Sequence, residues 1–406
     1  MSLATRRAAP RAAAGLAAIA MLMVPAVNWR MPAASASPAN VSTTAVTVHS
    51  EPLDLPGSVL APTAPAGRRP GLVIVYDSGP RRRATYEAEA RLLAEAGIVT
   101  LIYDKRTSGY SMTNRSFGAL ADDALAAVEL LRARPDVDPA RVGLLGRSEG
   151  GWVAPLAASR SPHVAFVITV GASGLPPART QAWSNVTHLD HAGVSESLWT
   201  PLGVNPTRVL VAAGMFGAAN YDPAPALERT RQPLLAVFGA NDRSTAPGET
   251  VRLFATALER RGNQHYTIRV LPDADHRLHR SRDGFTQSDQ LAPGYVDLIT
   301  SWITGPGQAP PAPVVDPAPT QGIDSSPLSP LAWYESIPMH LGALEWSRNA
   351  DRRAHRFRYF PALGRVLGTP AALSPVVLVS HAPEPRTPAR AHGHHGQRND
   401  VPSVLS

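Results

Sequence analysis

Three features of the sequence predict an α/β fold with a mostly parallel sheet and helices on both faces. From Gly71 onward, short continuous apolar runs recur, each about the length of a strand. Stretches with helical spacing separate the runs, and Gly-, Asn- or Asp-containing turns follow several of them. A strand covered by helices on both faces is apolar throughout rather than alternating. Strands and helices in alternation build a doubly wound sheet, whose function gathers at the carboxyl ends of its strands.

The elements follow in order. Thr44 to His49 alternates as a half-buried strand does, with Ser58 to Ala61 as its expected partner. Gly71–Tyr76 is the first continuous apolar run. Glu87–Ala96 then reads as a helix and Val99–Tyr103 as the next strand. Leu120–Arg134 is helical by the spacing of Leu120, Leu125, Val128 and Leu131, and Pro135 and Pro139 stop it. Arg141–Leu145 and Val164–Val170 read as strands around a helix at Trp152–Ser159. A strand at Leu234–Phe238, a helix at Thr250–Arg260, a strand at Thr267–Leu271 and a closing helix at Tyr295–Ile303 complete the series.

One stretch breaks the alternation. Residues 173–226 are too many for a bare loop, so they are expected to carry helices of their own, with Leu189–Gly193 and Val209–Phe216 as candidates, and to form a lid. The Pro/Ala-rich chain after Gly305 predicts an extended linker, and residues 305–406 as a whole are expected to be linker and disordered tail. His392, His394 and His395 in that tail read as a solvated stretch rather than a metal site.

At the N-terminus, Arg6, Arg7 and Arg11 precede an apolar run of 16 residues, Ala12 to Val27, and small residues follow to Ala36. This order predicts a signal peptide at residues 1–36 and an exported protein, whether secreted, periplasmic or held at the envelope; an uncleaved membrane anchor is the alternative. The expected catalytic body is residues 37–304.

Composition narrows the function classes. The net charge is +7, but the 39 basic Lys and Arg residues include one lysine, Lys105, and apart from Arg81-Arg82-Arg83 they are dispersed. Nucleic-acid binders concentrate charge on one face, so no nucleic-acid partner is expected. With no cysteine in the chain, disulfides, thiol nucleophiles and cysteine metal sites are excluded.

The chemistry sits in Gly146-Arg-Ser148-Glu-Gly150, directly between a predicted buried strand and a predicted helix. A serine on so sharp a turn needs neighbours without bulk, which Gly146, Gly150 and Gly151 provide, and the turn lifts its hydroxyl to the sheet's edge. The pattern alone arises by chance in glycine-rich chains; its strand–turn–helix context gives it meaning. A serine nucleophile requires a base, and the base an orienting carboxylate. Asp242 ends the run Leu234-Leu-Ala-Val-Phe-Gly-Ala-Asn-Asp, and His276 follows the strand at Thr267–Leu271, so both fall at strand ends in the order Ser, Asp, His. Asp222, Asp275 and His279 are the nearest competitors. The backbone N–H of Glu149 is placed to stabilise an oxyanion.

On these motifs residues 44–305 resemble bacterial α/β-hydrolases related to prolyl oligopeptidases, serine aminopeptidases and dienelactone-hydrolase-like esterases. The shared residues are Gly146-Arg-Ser-Glu-Gly-Gly-Trp152, Tyr103-Asp-Lys-Arg106 with Ser108, Gly109 and Ser111, Phe238-Gly-Ala-Asn-Asp242, and Ala274-Asp-His276. The resemblance implies an α/β-hydrolase fold with a helical lid, no cofactor and no metal, and a second oxyanion N–H from Ser78. Two positions depart from the pattern. Thr107 replaces a glycine, and Asp77 brings a carboxylate to a glycine position, where it opposes the oxyanion unless turned away or paired by Arg81 or Arg82. The expected activity is hydrolysis of a small ester, or of a short peptide as the runner-up, through an acyl-enzyme on Ser148. Esters are favoured because no propeller-sized domain precedes the hydrolase body. A fold kept for binding without turnover is the reading from another class.

Overall fold

The computed structural model describes residues 40–64, 67–286, 288–305 and 312–335. Strands β1 (Val41–Ser50) and β2 (Leu53–Pro62) form an antiparallel pair, with Thr44 opposite Val59 and Ala45 opposite Ser58. The parallel series follows: β3 (Arg69–Val75), α1 (Glu87–Glu95), β4 (Val99–Tyr103), α2 (Phe117–Arg132), β5 (Val137–Arg147), α3 (Gly150–Ala158) and β6 (Val167–Val170). After helices α4 (Pro177–His191), α5 (Asn205–Ala212) and α6 (Ala224–Arg229) come β7 (Leu234–Gly239), α7 (Pro247–Arg260), β8 (Tyr266–Leu271) and α8 (Tyr295–Thr304). A two-residue strand, β9 (Val314–Val315), closes the sheet, whose order is β1-β2-β4-β3-β5-β6-β7-β8-β9.

Both faces of the sheet are covered. Along β3, Val73 and Val75 pack towards Phe117, Val128 and Val153, while Leu72 and Ile74 pack towards Tyr86, Leu93 and Ile299. Helix α2 starts at Phe117, three residues before its first expected apolar position, because the Ser116 hydroxyl accepts a hydrogen bond from the Ala119 N–H at 3.2 Å.

The order β4-β3-β5 contains the switch point of the sheet. The chain leaves β3 for one neighbour and then returns to the other side, opening a crevice at the carboxyl ends of β3 and β5. The loop after β3 carries Ser78, and the turn after β5 carries Ser148.

The segment 173–226 carries helices, as expected, but α4 is far longer than the candidate at Leu189–Gly193, spanning fifteen residues from Pro177. A 3-10 turn (Glu196–Leu198) and a π turn (Thr200–Val204) lead into α5.

The chain after α8 differs from the free linker expected for residues 305–406. Residues 312–332 belong with the hydrolase body, in the unit Met1–Ala332. There β9 runs parallel to β8, and the Asp316 carboxylate accepts hydrogen bonds from the Arg269 side chain and the Val270 N–H, both at 2.9 Å. Farther along, Trp183 Nε1 donates to the Ile323 carbonyl at 2.7 Å, and Arg208 donates to the Ser329 and Pro330 carbonyls, both at 2.9 Å. A proline-rich strap has few N–H donors but keeps every carbonyl, and the arginine and tryptophan donors of α4 and α5 engage them. The second unit is Trp333–Ser406, whose described residues form one 3-10 turn, Trp333–Glu335. The expected signal segment and the His-rich tail lie outside the described residues. Among the described residues, no helix is long and apolar enough to cross a membrane.

Candidate active site

Ser148 occupies the turn between β5 and α3 with φ +50°, a left-handed conformation that costs a non-glycine residue on the order of 1–3 kcal/mol. Its N–H donates to the Val170 carbonyl at 2.9 Å and its carbonyl accepts from the Gly151 N–H at 2.8 Å, so both sides of the turn are pinned. The bordering glycines are required by space. A β-carbon at Gly146 would lie 2.0 Å from the Gly150 carbonyl oxygen, and one at Gly150 would lie 2.2 Å from the Val75 carbonyl oxygen.

The three residues expected to act together meet here. His276 Nε2 lies 2.9 Å from Ser148 Oγ, and His276 Nδ1 lies 2.8 Å from Asp242 Oδ2. Asp242 is fully buried in the turn after β7. Its Oδ1 accepts from the Ser244 and Thr245 N–H groups at 2.6 and 3.0 Å, and its Oδ2 also accepts from Thr245 Oγ1 at 2.6 Å. Burial alone would raise the Asp242 carboxyl, but His276 and these donors outweigh it and hold the group below its ordinary value. On His276, burial favours the neutral ring. Burial is the largest single influence, but the Asp242 charge, its hydrogen bond and the Asp275 charge together outweigh it, and the net shift is upward from 6.5.

The competitors have other tasks. Asp275 Oδ1 accepts from the N–H groups of Arg277 and His279, both at 2.9 Å, and so shapes the loop that presents His276. His279 forms a backbone bridge with Leu291, and exposed Asp222 accepts from the Ala224 N–H at the start of α6.

Asp77 does not face a bare oxyanion site. Arg81 grips its carboxylate through two bonds of 2.7 and 2.9 Å, and the Tyr86 hydroxyl donates to the same group. Burial would raise Asp77, but these partners outweigh it and keep the carboxyl below its usual value. Of the two arginines considered, Arg82 turns instead to Asp104 at 3.8 Å. Thr107 is exposed and stands outside the positive-φ residues, so the missing glycine strains nothing there.

The orientation of Ser78 follows from its peptide plane. Lys105 Nζ donates to the Asp77 carbonyl at 2.8 Å, and in a trans peptide the C=O and the following N–H point in opposite directions. The Ser78 N–H is therefore directed away from Lys105. Glu149, whose backbone leads into α3, sends its carboxylate the other way. Its Oε1 accepts from Lys105 at 2.6 Å and Tyr110 at 2.8 Å, and its Oε2 accepts from Arg115 at 2.8 Å. Burial opposes its ionisation, but the two cations overcome that and hold it below the ordinary carboxylate value.

Sequence reasoning assigned no task to Lys105, Tyr110, Arg115 or Arg147. The signal that bears on Lys105 is compositional, since it is the single lysine in an arginine-rich chain. Arg147 points away from the serine it precedes. Nη1 donates to Glu89 Oε1 at 2.7 Å and to the Tyr295 hydroxyl at 3.0 Å, and Nη2 donates to the Arg277 carbonyl at 2.9 Å, one residue beyond His276. All three side chains are buried. Arg147→Met leaves Glu89 in the interior without its cation and is expected to destabilise the fold by about 3–5 kcal/mol. Adding Glu89→Leu should recover most of that loss, because removing both charges leaves none stranded. Urea unfolding of the single and double variants checks both statements.

Among the described residues there is no group of three or more His, Asp or Glu side chains arranged to hold a metal ion.

A switch-point crevice, a strained serine at a strand–helix turn and a serine–histidine–aspartate hydrogen-bonded chain together define a serine hydrolase of the α/β class. The model of the prolyl oligopeptidase family matches residues 84–293, just over half of the chain, and the protein belongs to that family. Over 222 residues it is 28% identical to an uncharacterized protein found in two strains of Mycobacterium tuberculosis, covering 54% of this chain and 67% of the relative. Among solved structures it is similar to a dienelactone hydrolase from Anabaena variabilis, at 19% identity over 65% of this chain and 95% of that one, with a TM-score of 0.40. It is also similar to an acylaminoacyl peptidase from Pyrococcus horikoshii, at 20% identity over 59% of this chain and 38% of that one, with a TM-score of 0.43.

Proposed function

We propose that the protein hydrolyses carboxylic esters of small molecules through an acyl-enzyme on Ser148. The observation that carries this reading is the chain of 2.9 and 2.8 Å contacts from Ser148 Oγ through His276 to Asp242. As Ser148 Oγ attacks the ester carbonyl, its proton passes to His276 Nε2. The carbonyl oxygen becomes an oxyanion, held by the N–H groups of Glu149 and Ser78, while buried Asp242 stabilises the imidazolium. His276 then gives the proton to the departing alcohol. Water, deprotonated by the same histidine, releases the acid and restores Ser148. The charge changes are all met by side chains and amides of this chain, so the cycle needs no cofactor.

Family membership favours a second reading, cleavage of an amide in a short peptide or aminoacyl substrate. The charges around the serine support esters over substrates with a free ammonium. Glu149 is engaged by Lys105 and Arg115 and Asp77 by Arg81, and Asp242 is fully buried with its oxygens taken by His276, Ser244 and Thr245, so none of these carboxylates is open to a substrate ammonium. An amine is also a poorer leaving group than an alcohol and depends more on the proton from His276. Short-chain p-nitrophenyl esters should therefore turn over with kcat/KM about 10²-fold or more above matched aminoacyl p-nitroanilides. Equal or greater rates on the anilides would overturn the ester assignment in favour of the peptidase.

A binding protein without turnover gains nothing from Asp77, whose carboxylate is paired with Arg81. The helices of residues 173–226 act as the lid that sets acyl-chain preference, and residues 1–36 as the export signal.

A further inference from the structure

Every basic Lys or Arg position in the chain but one is arginine, so Lys105 stands out. It follows β4 directly and is 6% exposed, and its ammonium makes three hydrogen bonds: to the Asp77 carbonyl at 2.8 Å, to Tyr110 Oη at 3.0 Å and to Glu149 Oε1 at 2.6 Å. An ammonium has three donors on one nitrogen and can serve three acceptors that converge from different directions. A guanidinium spreads five donors in a flat fork and cannot collapse them onto such a point.

Two of these three acceptors belong to the backbone segments that supply the oxyanion donors. The Asp77 carbonyl is one half of the peptide whose other half is the Ser78 N–H. Glu149 carries the other donor on its own backbone. Tyr110 completes the frame, since its hydroxyl accepts from the Gly79 N–H at 3.0 Å and donates to Glu149 Oε1 at 2.8 Å. One ammonium thus joins the loop after β3 to the first turn of α3 and sets the separation and direction of both amides. The buried cluster of Lys105, Arg115 and Glu149 also holds one more positive than negative charge, around the side chain of the residue whose backbone supplies one oxyanion donor.

We propose that Lys105 is the positioning residue of the oxyanion site, acting on the reaction through the Asp77–Ser78 peptide and Glu149 rather than by touching substrate. This rests on the reading of Ser148 as nucleophile and of the Ser78 and Glu149 amides as oxyanion donors.

The test compares wild type, Lys105→Met, Lys105→Arg, Tyr110→Phe and Ser148→Ala in the full chain. The measurements are kcat and KM on a p-nitrophenyl ester and Ki for an aryl trifluoromethyl ketone. Ser148 Oγ adds to that ketone, its proton moves to His276, and the hemiketal oxygen carries the negative charge that the two amides must meet. For folded Lys105→Met, kcat should fall about 10²-fold, as on losing one oxyanion donor, with KM changed by less than about threefold. The ketone's Ki should weaken in proportion to kcat/KM. Lys105→Arg should not restore the rate, because charge without convergent donors is insufficient. A purely structural lysine would lower the unfolding midpoint and leave kcat and Ki of the folded fraction at wild-type values, and that result overturns the proposal. If neither Lys105 variant folds, Tyr110→Phe decides. It keeps the ammonium but removes one strut, and a kcat and Ki both equal to wild type count against the frame. Full ester activity in Ser148→Ala would instead refute the nucleophile reading itself. Loss in Ser148→Ala with wild-type kcat in Lys105→Met would refute only the positioning role.

Discussion

Ser148→Ala should lower kcat on a short-chain aryl ester by about 10⁶-fold, the loss expected when the nucleophile of a serine hydrolase is removed. The variant should fold as well as wild type. Ser148 is only partly buried, its hydroxyl bonds to His276, and its backbone bonds to Val170 and Gly151 survive the change. Alanine inherits the positive φ, so the turn's strain persists and the stability change should stay within about 0.5 kcal/mol. An unchanged unfolding midpoint with undetectable turnover and no labelling by a fluorophosphonate is the combined signature. Labelling elsewhere in the alanine variant, with ester activity retained, would assign the nucleophile to another residue.

Asp242→Asn should lower kcat by about 10⁴-fold, and the reason is the direction of hydrogen bonds rather than size. Asp242 accepts on both oxygens, from the Ser244 and Thr245 N–H groups on one and from His276 and Thr245 Oγ1 on the other. An asparagine amide must turn its NH2 towards one of these sets. Facing the backbone donors it repels them. Facing His276 it forces Nδ1 to accept, which puts the ring's proton on Nε2, where Ser148 needs an acceptor. The pH profile separates this from a loss of fold. In the proposed cycle the neutral ring is the active form, and the Asp242 charge and hydrogen bond, with the Asp275 charge, outweigh burial and lift His276 above 6.5. Wild-type kcat/KM should therefore rise with pH through a midpoint above 6.5. Without the carboxylate that lift is lost, and the midpoint of the residual activity should move to lower pH. A midpoint that stays in place would mean that Asp242 does not set the histidine's protonation.

The same ion pairs explain how far the site could be read from sequence. Asp77 looked hostile to an oxyanion because a carboxylate stood where a glycine was expected. Its pairing with Arg81, supported by a hydrogen bond from Tyr86, required the loop after β3 to fold back on itself, and residue order offered no means of choosing between Arg81 and Arg82. Residues 312–332 looked like linker because proline and alanine carry no periodicity. They are held by carbonyl acceptors, which every residue has and no composition reveals. Helix α4 was largely hidden because its buried positions include Thr180, Ser184 and Thr187, so its inner face is too polar to give a clear apolar stripe.

The sequence by itself determined the parallel strand series, the turn at Ser148 and the order Ser148, Asp242, His276. Strands buried on both faces must be apolar throughout, and a tight strand–helix turn admits only small neighbours, so both constraints are local and leave their mark on adjacent residues. The tertiary structure alone decided which charges meet. Lys105 reaches Glu149 across 44 positions, and Arg147 reaches Glu89 across 58. A buried charge is tolerated only where the fold delivers its partner, and the choice of partner depends on distance in space, which residue order does not encode.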